Sequence, residues 1–398
     1  MKTKAMPARA TAEDIDTNRS VKTDKRHKNK QLKWLIGSTV FFLLLNGISL
    51  ISTTFCDFYQ HWVYPVWGQT YGRLTSLLPF SFGELLIAAA VFGIPLSLIV
   101  MAVLLIFKKG SRRKTARIFG FVYSWIVVFI LGTETLNCFV LYHTSTFEQQ
   151  NSISTSQHTD KELEALAFRL VEQINVLAKE VERDDNGEFL LTSDVTEVSR
   201  KAVADLDDEF KNFGGYYVRP KSIYCSFFMS QMDLMGIYFP FSMEANYNNE
   251  MYKAKLPCTA CHELAHTKGF MREEEANFIA FVACDRCSDV EFRYSGYLSA
   301  LTYVRNKIFE YADENTKIKL DSAICDEVWT DIDANREFWR SVEEAEDTVF
   351  DSRTVSEVSD KAMEASLHAN GVKDGKKSYG RIVDLMLNYY GEHSFYSE

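Results

Sequence analysis

Three long runs of apolar residues dominate the first third of the chain. They cover residues 34–51, 85–107 and 118–136. A helix needs about 20 apolar residues to cross the hydrocarbon core of a bilayer, and each run is close to that length. The first run begins too late for a removable signal peptide, and no clear small-residue cleavage site follows it. The pattern therefore predicts a three-helix transmembrane region over residues 32–142.

Basic residues predict how these helices are oriented. Lys and Arg next to a membrane span tend to stay in the cytoplasm. The tail before Trp34 contains ten of them and the connection 108–114 contains five, whereas the loop 53–81 contains only Arg73. The N-terminus is therefore expected in the cytoplasm, and residues 143–398 are expected on the extracytoplasmic side.

The segments on either side of the first run differ in composition. Residues 1–31 are charged and nearly without large apolar side chains, so we expect a disordered cytoplasmic tail. The loop after the first run is rich in aromatic residues, which settle at membrane interfaces. We expect this loop to anchor along the outer membrane surface, with guidance of membrane-near substrates as the alternative; its aromatic residues are Tyr59, Trp62, Tyr64, Trp67 and Tyr71.

From residue 143 onward the pattern is that of a folded α+β domain. Thr159 and Glu162 have the spacing of a capping box, which predicts a helix start. Apolar residues then recur at helical spacing and predict a buried stripe, namely Leu163, Leu166, Leu170, Ile174 and Leu177. Residues 218–224 and 236–241 have the composition of strands. Helices are predicted at 294–311, around 329–342 and at 379–390.

The charge distribution supports this division of the chain. Residues 1–142 contain 17 basic and 7 acidic residues, whereas residues 143–398 contain 27 basic and 47 acidic ones. An acidic domain repels nucleic-acid phosphates, so we expect no nucleic-acid partner. Basic or neutral polypeptides are compatible substrates, although acidity also serves solubility.

The motif with the clearest chemistry is His262-Glu263-Leu-Ala-His266. On a helix, the i, i+4 spacing places both imidazoles on one face, where they can bind one Zn²⁺ ion. Glu263 then lies beside the metal as a general base that takes a proton from water. The same five-residue pattern also arises by chance in ordinary helices. The sequence therefore predicts a zinc hydrolase site if a third ligand is present.

The residues after His266 contain candidates for the third zinc ligand. Gly269 is a natural helix stop, and Glu273, Glu274 and Glu275 are suited to the first turn of a new helix. In the resulting antiparallel hairpin, helical phase places Glu273 opposite His266. Glu275 is the rival ligand, although its helical neighbours form a core-facing stripe. Asn277, one turn after Glu273, is expected to fix the tautomer of a ligand imidazole.

These residues resemble known families. Glu273-x-x-Ala276-Asn277 is similar to the second motif of gluzincin-type metallopeptidases. A longer set of segments resembles the bacterial DUF3810 family, predicted multi-pass membrane proteins of unassigned function in the zinc-peptidase superfamily; the segments are 236–241, 257–266, 272–281 and 292–298. The resemblance, from residue 34 onward, implies a zincin-like metallopeptidase fold but no substrate. The metzincin pattern fails, because its third ligand position is Arg272.

Two further features bear on the site. Cys258-x-x-Cys261 and Cys284-x-x-Cys287 have the spacing of a four-thiolate structural zinc site. Because both pairs lie on the helices of the predicted metal hairpin, buried free thiols or a disulfide are the competing interpretations. Separately, Tyr294 is one of several tyrosines that could stabilise an oxyanion.

The sequence therefore predicts a helical membrane anchor joined to an α+β zincin-like domain. The predicted activity is hydrolysis of peptide bonds in an extracytoplasmic or envelope polypeptide, with Zn²⁺ held by His262, His266 and Glu273 and with Glu263 as general base. By analogy with zincins, residues 236–248 are expected to provide a strand edge for the substrate; a hairpin in the core is the alternative. The other function considered is a catalytically silent, membrane-anchored binding or sensor module.

Overall fold

The computed structural model of the protein describes residues 12–345, 352–372 and 381–392. The helices of its first part are α1 (Ala12–Ile51), α2 (Thr53–Phe58), α3 (Tyr64–Trp67), α4 (Arg73–Ser76), α5 (Phe82–Ala88), α6 (Ile94–Phe107), α7 (Arg112–Glu134) and α8 (Val140–Tyr142). Five-residue π-helical turns connect α2 to α3, α3 to α4, α5 to α6 and α7 to α8. Three helices are long and apolar enough to cross a membrane, at Lys30–Ile51, Phe82–Phe107 and Lys109–Tyr142. The three predicted apolar helices are thus present.

The N-terminal tail differs from the prediction. Residues 1–11 lie outside the described part of the chain, but α1 begins at Ala12, so the rest of the tail is helical rather than disordered. Residues 12–33 contain no glycine or proline. The apolar helix supplies a ready nucleus, and adding residues to an existing helix costs far less than starting one.

The orientation across the membrane remains a prediction. A reporter fused after His143 is expected to be active only outside the cytoplasm, and one fused at Ser111 only inside, because basic residues keep their connection in the cytoplasm. Paired alkaline phosphatase and fluorescent-protein fusions measure this. Protection of the region after residue 143 from protease added to intact spheroplasts would contradict the orientation.

The C-terminal region, from residue 143 onward, is mainly helical. Its elements are α9 (Phe147–Asn151), α10 (Asp160–Leu177), α11 (Val195–Ala204), β1 (Lys221–Ser222), α12 (Ser226–Gln231), β2 (Gly236–Phe239), β3 (Glu244–Tyr247), α13 (Leu256–Thr267), α14 (Glu273–Asp285), α15 (Val290–Tyr311), α16 (Glu314–Ala323), α17 (Asp326–Glu343), α18 (Ser352–Ala369) and α19 (Ile382–Glu392). The capping box of Thr159 and Glu162 is present at the start of α10. All five residues of the predicted stripe are buried. Part of the predicted 379–390 helix lies outside the described residues.

The sheet is smaller than the strand pattern predicts. Its order is β1-β3-β2, with β1 parallel and β2 antiparallel to β3. The strand predicted at 218–224 shrinks to two residues, since Pro220 has no N–H for a ladder and the backbone beyond Ser222 turns toward the second apolar helix. Pro240 likewise follows the end of β2. β2 is an edge strand in the described sheet.

The aromatic loop between the first two apolar helices packs against the C-terminal region. Tyr59 and Tyr64 are buried there, so the prediction that the whole loop lies along the membrane is wrong for them. The Tyr64 hydroxyl is 2.9 Å from the Tyr238 hydroxyl on β2 and donates to the carbonyl of His266. Only packing against residues far away in the sequence decides whether such a tyrosine lies at a membrane surface or is buried against the C-terminal region. Trp62 does remain 65% exposed.

Glu244, which is buried, and Arg272, which is half-buried, join the C-terminal region to the apolar helices. Glu244 on β3 accepts hydrogen bonds from the N–H groups of Phe82 and Gly83 at the start of α5, and it pairs with Lys221 at 2.6 Å. Arg272 donates to the carbonyls of Tyr142 and Thr144 at the end of α8, at 3.1 and 2.6 Å. The ends of the second and third apolar helices are therefore fixed to the elements that carry the candidate site.

Candidate metal centre

The candidate site lies on the predicted antiparallel hairpin of α13 and α14. Pro257 occupies the first turn of α13, where its missing N–H costs nothing. Gly269 has φ +93°, a left-handed conformation that ends the helix and that glycine adopts without strain. Glu273 then begins α14. The turn returns the chain so that the start of α14 faces the end of α13.

The hairpin brings the three predicted ligands together. The Nε2 atoms of His262 and His266 are 3.1 Å apart. Glu273 places Oε2 3.2 Å from His262 Nε2 and Oε1 3.8 Å from His266 Nε2. Ligand atoms around a tetrahedral zinc ion, each about 2.0–2.1 Å from the metal, lie about 3.3 Å from one another. The donor set and its spacing therefore fit a zinc ion.

The tautomer of His266 follows from its second nitrogen. Nδ1 lies 2.8 Å from the carbonyl oxygen of Phe270, which can only accept, so Nδ1 carries the proton. Nε2 is left with a lone pair that faces His262 and Glu273. We expected Asn277 to fix a ligand tautomer, but its Nδ2 is buried without a hydrogen-bond partner among the described residues. The backbone of the turn orients His266 instead.

Glu263 lies between α13 and the edge strand. Its carboxylate accepts from the N–H of Tyr238, while its Oε2 is buried without a hydrogen-bond partner in the described structure. Gly236 leaves the space for this carboxylate, since a Cβ there would overlap Glu263 Oε1. An unsatisfied carboxylate oxygen is costly to bury and marks a place where a donor is missing.

Burial and the charge of Glu273 together shift the pKa values of His262, His266 and Glu263. Burial lowers the pKa of His262, but the hydrogen bond and charge of Glu273 outweigh it and raise the pKa to about 9. Burial lowers the pKa of His266 to about 4, against the charge of Glu273. Burial raises the pKa of Glu263 to about 8. One imidazole is therefore neutral and available as a ligand, and the Glu263 carboxyl lies in surroundings poor in water.

The neighbouring glutamates have other contacts. Glu275, the rival ligand, is buried and accepts from the N–H of Phe147 and from Arg272, both at 2.9 Å. Glu274 pairs with Arg381 at 2.7 Å on the far side of the helix. Of the three, Glu273 is the one whose carboxylate lies with the histidines. No pattern in the sequence indicates the role of Arg272, because the carbonyls that it binds are 127–130 residues away.

A cavity of about 770 Å³ opens over the three side chains. β2 lines it with Gly236, Ile237 and Tyr238. The third apolar helix, α15, α17 and α18 supply other walls, including Glu134, Cys138, Tyr142, Tyr303, Trp339 and Met363. Tyr294 is not part of this lining; it is fully buried, and its hydroxyl donates to Asp331. Tyr294, one of several tyrosines considered for an oxyanion, therefore does not reach the cavity, and on α15 the tyrosine that lines it is Tyr303.

The cysteine pairs form no metal site in the described structure. Cys261 and Cys284 are buried with their sulfurs 4.0 Å apart, about twice the length of a disulfide bond. Burial raises the pKa of the Cys261 thiol, which favours its protonated form. Among the described residues, the cluster of histidine, cysteine and acidic side chains close enough to hold a metal is His262, His266 and Glu273.

Comparison with known proteins identifies the family. No curated protein and no solved structure matches the chain. A family profile described as "Protein of unknown function (DUF3810)" matches residues 59–387, more than four fifths of the chain. The match covers the second and third apolar helices and nearly all of the C-terminal region. The chain therefore belongs to the DUF3810 family.

Proposed function

We propose that the protein is a membrane-anchored zinc peptidase of gluzincin type, with a zincin-like C-terminal domain on the extracytoplasmic side. His262, His266 and Glu273 hold the metal, and Glu263 is the general base. The observation that carries the proposal is the close approach of the three ligand atoms, 3.1 to 3.8 Å from one another, inside a large cavity. A glutamate adjacent to the first histidine is what hydrolysis requires in addition to metal binding.

Each residue has a defined task in this mechanism. A bound zinc ion supplies a Lewis acid that activates water and polarises a carbonyl group. Glu263 accepts the proton of the attacking water at its carboxylate and passes it to the departing amine. The N–H of Tyr238 holds one carboxylate oxygen in place, which leaves Oε2 for the proton. The Phe270 carbonyl keeps His266 Nε2 directed at the metal position.

The edge strand offers a place for the substrate backbone. β2 pairs only with β3 in the described sheet, and Gly236, Ile237 and Tyr238 line the cavity beside Glu263. An extended peptide that adds to such an edge gains main-chain hydrogen bonds irrespective of its sequence. Its scissile bond would then lie next to α13. This arrangement favours a polypeptide substrate over a small molecule.

The proposal is tested by metal content and metal dependence. The purified full-length protein is expected to contain one zinc ion per chain, measured by inductively coupled plasma mass spectrometry. Chelation should abolish hydrolysis of a mixed-sequence peptide library, and added zinc should restore it, because the metal supplies the Lewis acid. Zinc-loaded protein that hydrolyses no member of the library would favour the silent binding module.

Replacing Gly236 by alanine tests the position of Glu263. The new methyl group would overlap Glu263 Oε1, so the carboxylate must move. A misplacement of about 1 Å can cost about 10²-fold in rate, and we expect a loss of that order with zinc retained. Gly68→Ala is the control, since its methyl group meets nothing within 4 Å. Equal losses in both variants would show that Gly236 has no special part.

A further inference from the structure

Helix α12 buries polar side chains and exposes its two aromatic ones. It buries Ser226, Ser230 and Gln231 together with Met229, but leaves Phe227 42% and Phe228 63% exposed. The buried hydroxyls are well bonded: Ser226 Oγ accepts from the N–H of Asn249, and Ser230 Oγ accepts from the Asn248 side chain. A helix on a water-facing surface shows the opposite arrangement. The side that carries the two phenylalanines is therefore built for an apolar medium.

The residues around α12 extend this surface. Tyr224 is 93% exposed and Met235 is 40% exposed, so four exposed large apolar side chains occur within twelve residues. Between Lys221 and Glu244 the sequence contains a single charged residue, Asp233. The rings of Phe227 and Phe228 are in contact, with centroids 5.7 Å apart, and exposed apolar surface larger than a single side chain marks an interaction site. We call residues 223–235 the apolar lip.

The apolar lip is attached to the start of the second apolar helix. The N–H groups of Tyr224 and Cys225 donate to Glu84, at 3.0 and 2.7 Å. Glu84 lies in the first turn of α5, next to Leu85, which is half exposed. The lip therefore lies at the level where a membrane-spanning helix enters the bilayer. This continuity identifies lipid as the medium that covers the lip.

One end of the cavity lies at the same height along the apolar helices as Glu84. Ser97 on α6 and Tyr123 on α7 are in hydrogen-bond contact. Glu84 is 13 residues before Ser97 and Glu134 is 11 residues after Tyr123, so the two glutamates differ in height by only about 3 Å at 1.5 Å per residue. Glu134 lines the cavity, as do Leu234 and Met235 of the lip. The cavity thus reaches the expected membrane surface beside the lip.

We infer that the apolar lip inserts into the headgroup and acyl boundary of the bilayer, and that the cavity therefore acts on polypeptides anchored in the same membrane. The second half of this inference rests on the proposed peptidase function. Insertion depends on apolar contact rather than charge, since the C-terminal region is strongly acidic and would not be drawn to anionic lipid. A substrate held at the surface reaches β2 directly past Met235.

Lipid quenching tests the insertion. Cys225 is exposed while the other cysteines are buried or half-buried, so an environment-sensitive fluorophore can be attached to it in the full-length protein. The control is the same label on Ile318→Cys in a Cys225→Ser background, at a site on α16 that is 62% exposed. In phosphatidylcholine vesicles, lipids brominated on their acyl chains should quench the Cys225 label at least about fivefold more than the control label, because bromine quenches only at short range. The difference should persist in high salt. Equal quenching of the two labels would overturn the insertion. Protection of Cys225 that depends on protein concentration and not on bromine would also overturn it, because it would show that a second copy of the protein covers the lip.

Matched substrates test the substrate class. A mixed-sequence peptide library joined to a membrane-spanning helix, and the same library free in solution, are incubated with zinc-loaded protein in vesicles. Anchoring raises the effective concentration, so the anchored library should be cleaved at least about tenfold faster. Phe227→Ser/Phe228→Ser should reduce that advantage without lowering cleavage of the free library. Equal rates for the two libraries would overturn the substrate class. Hydrolysis of neither would overturn the peptidase itself, and quenching would still decide the insertion.

Discussion

Replacement of Glu263 by glutamine is expected to lower peptide hydrolysis by about 10²- to 10⁴-fold, the usual contribution of general-base catalysis. Glutamine keeps the size of the side chain and can still accept from the N–H of Tyr238. It cannot take a proton from water. Zinc content and substrate binding should both persist, because Glu263 is not among the three clustered ligands.

His262→Ala provides the contrasting variant. It removes one of the three ligands, and two remaining ligands hold zinc poorly, so metal and activity should be lost together. Metal analysis and hydrolysis rates of the two variants, measured on the same preparations, separate chemistry from metal binding. Complementation of a deletion strain by Glu263→Gln as fully as by the wild-type gene would contradict the enzymatic function.

Replacement of Glu273 by alanine is expected to reduce zinc occupancy strongly. Its carboxylate is the one that lies 3.2 and 3.8 Å from the two histidine nitrogens. Without it the site keeps only two ligands for an ion that usually takes at least three from the protein. The measurement is zinc per chain after dialysis against a weak chelator, with circular dichroism to confirm that the helices remain.

Glu274→Ala is the matched control for this variant. Glu274 belongs to the same first turn of α14 but pairs with Arg381, so zinc binding should survive its loss. Glu275→Ala is less suitable, since the buried carboxylate holds the N–H of Phe147 and the Arg272 guanidinium. If Glu275→Ala nevertheless removed zinc and Glu273→Ala did not, the assignment of the third ligand would be wrong.

The features of the site that could be predicted from the sequence involve residues that are close to one another along the chain. The separation of His262 and His266 is fixed by helical pitch, and Gly269 and the acidic first turn of α14 fix where the chain reverses. The choice of Glu273 over Glu275 follows from helical phase alone. The long apolar helices and the stripe of α10 are equally local, because composition and period within one segment determine them.

The remaining features depend on residues far apart in sequence. Nothing near Tyr64 indicates that its hydroxyl meets β2 rather than the membrane surface. The short β1 and the hydrogen bonds of Tyr224 and Cys225 to Glu84 likewise depend on how the apolar helices meet the sheet. Tyr303 and Tyr294 lie on one helix, and only the packing of α17 decides which of them faces the cavity.

The contacts of Arg272 have a consequence for proteolytic shedding, by which some membrane proteins release an active ectodomain. A cut just after Tyr142 would remove one of the carbonyls that hold the Arg272 guanidinium, while those of Thr144 and Ser145 would stay with the released fragment. It would also strip away the wall of the cavity that the third apolar helix provides through Glu134, Cys138 and Tyr142. The released fragment would carry His262, His266 and Glu273 in an opened, solvent-flooded site, so for the peptidase proposed above shedding would lower the activity rather than release it.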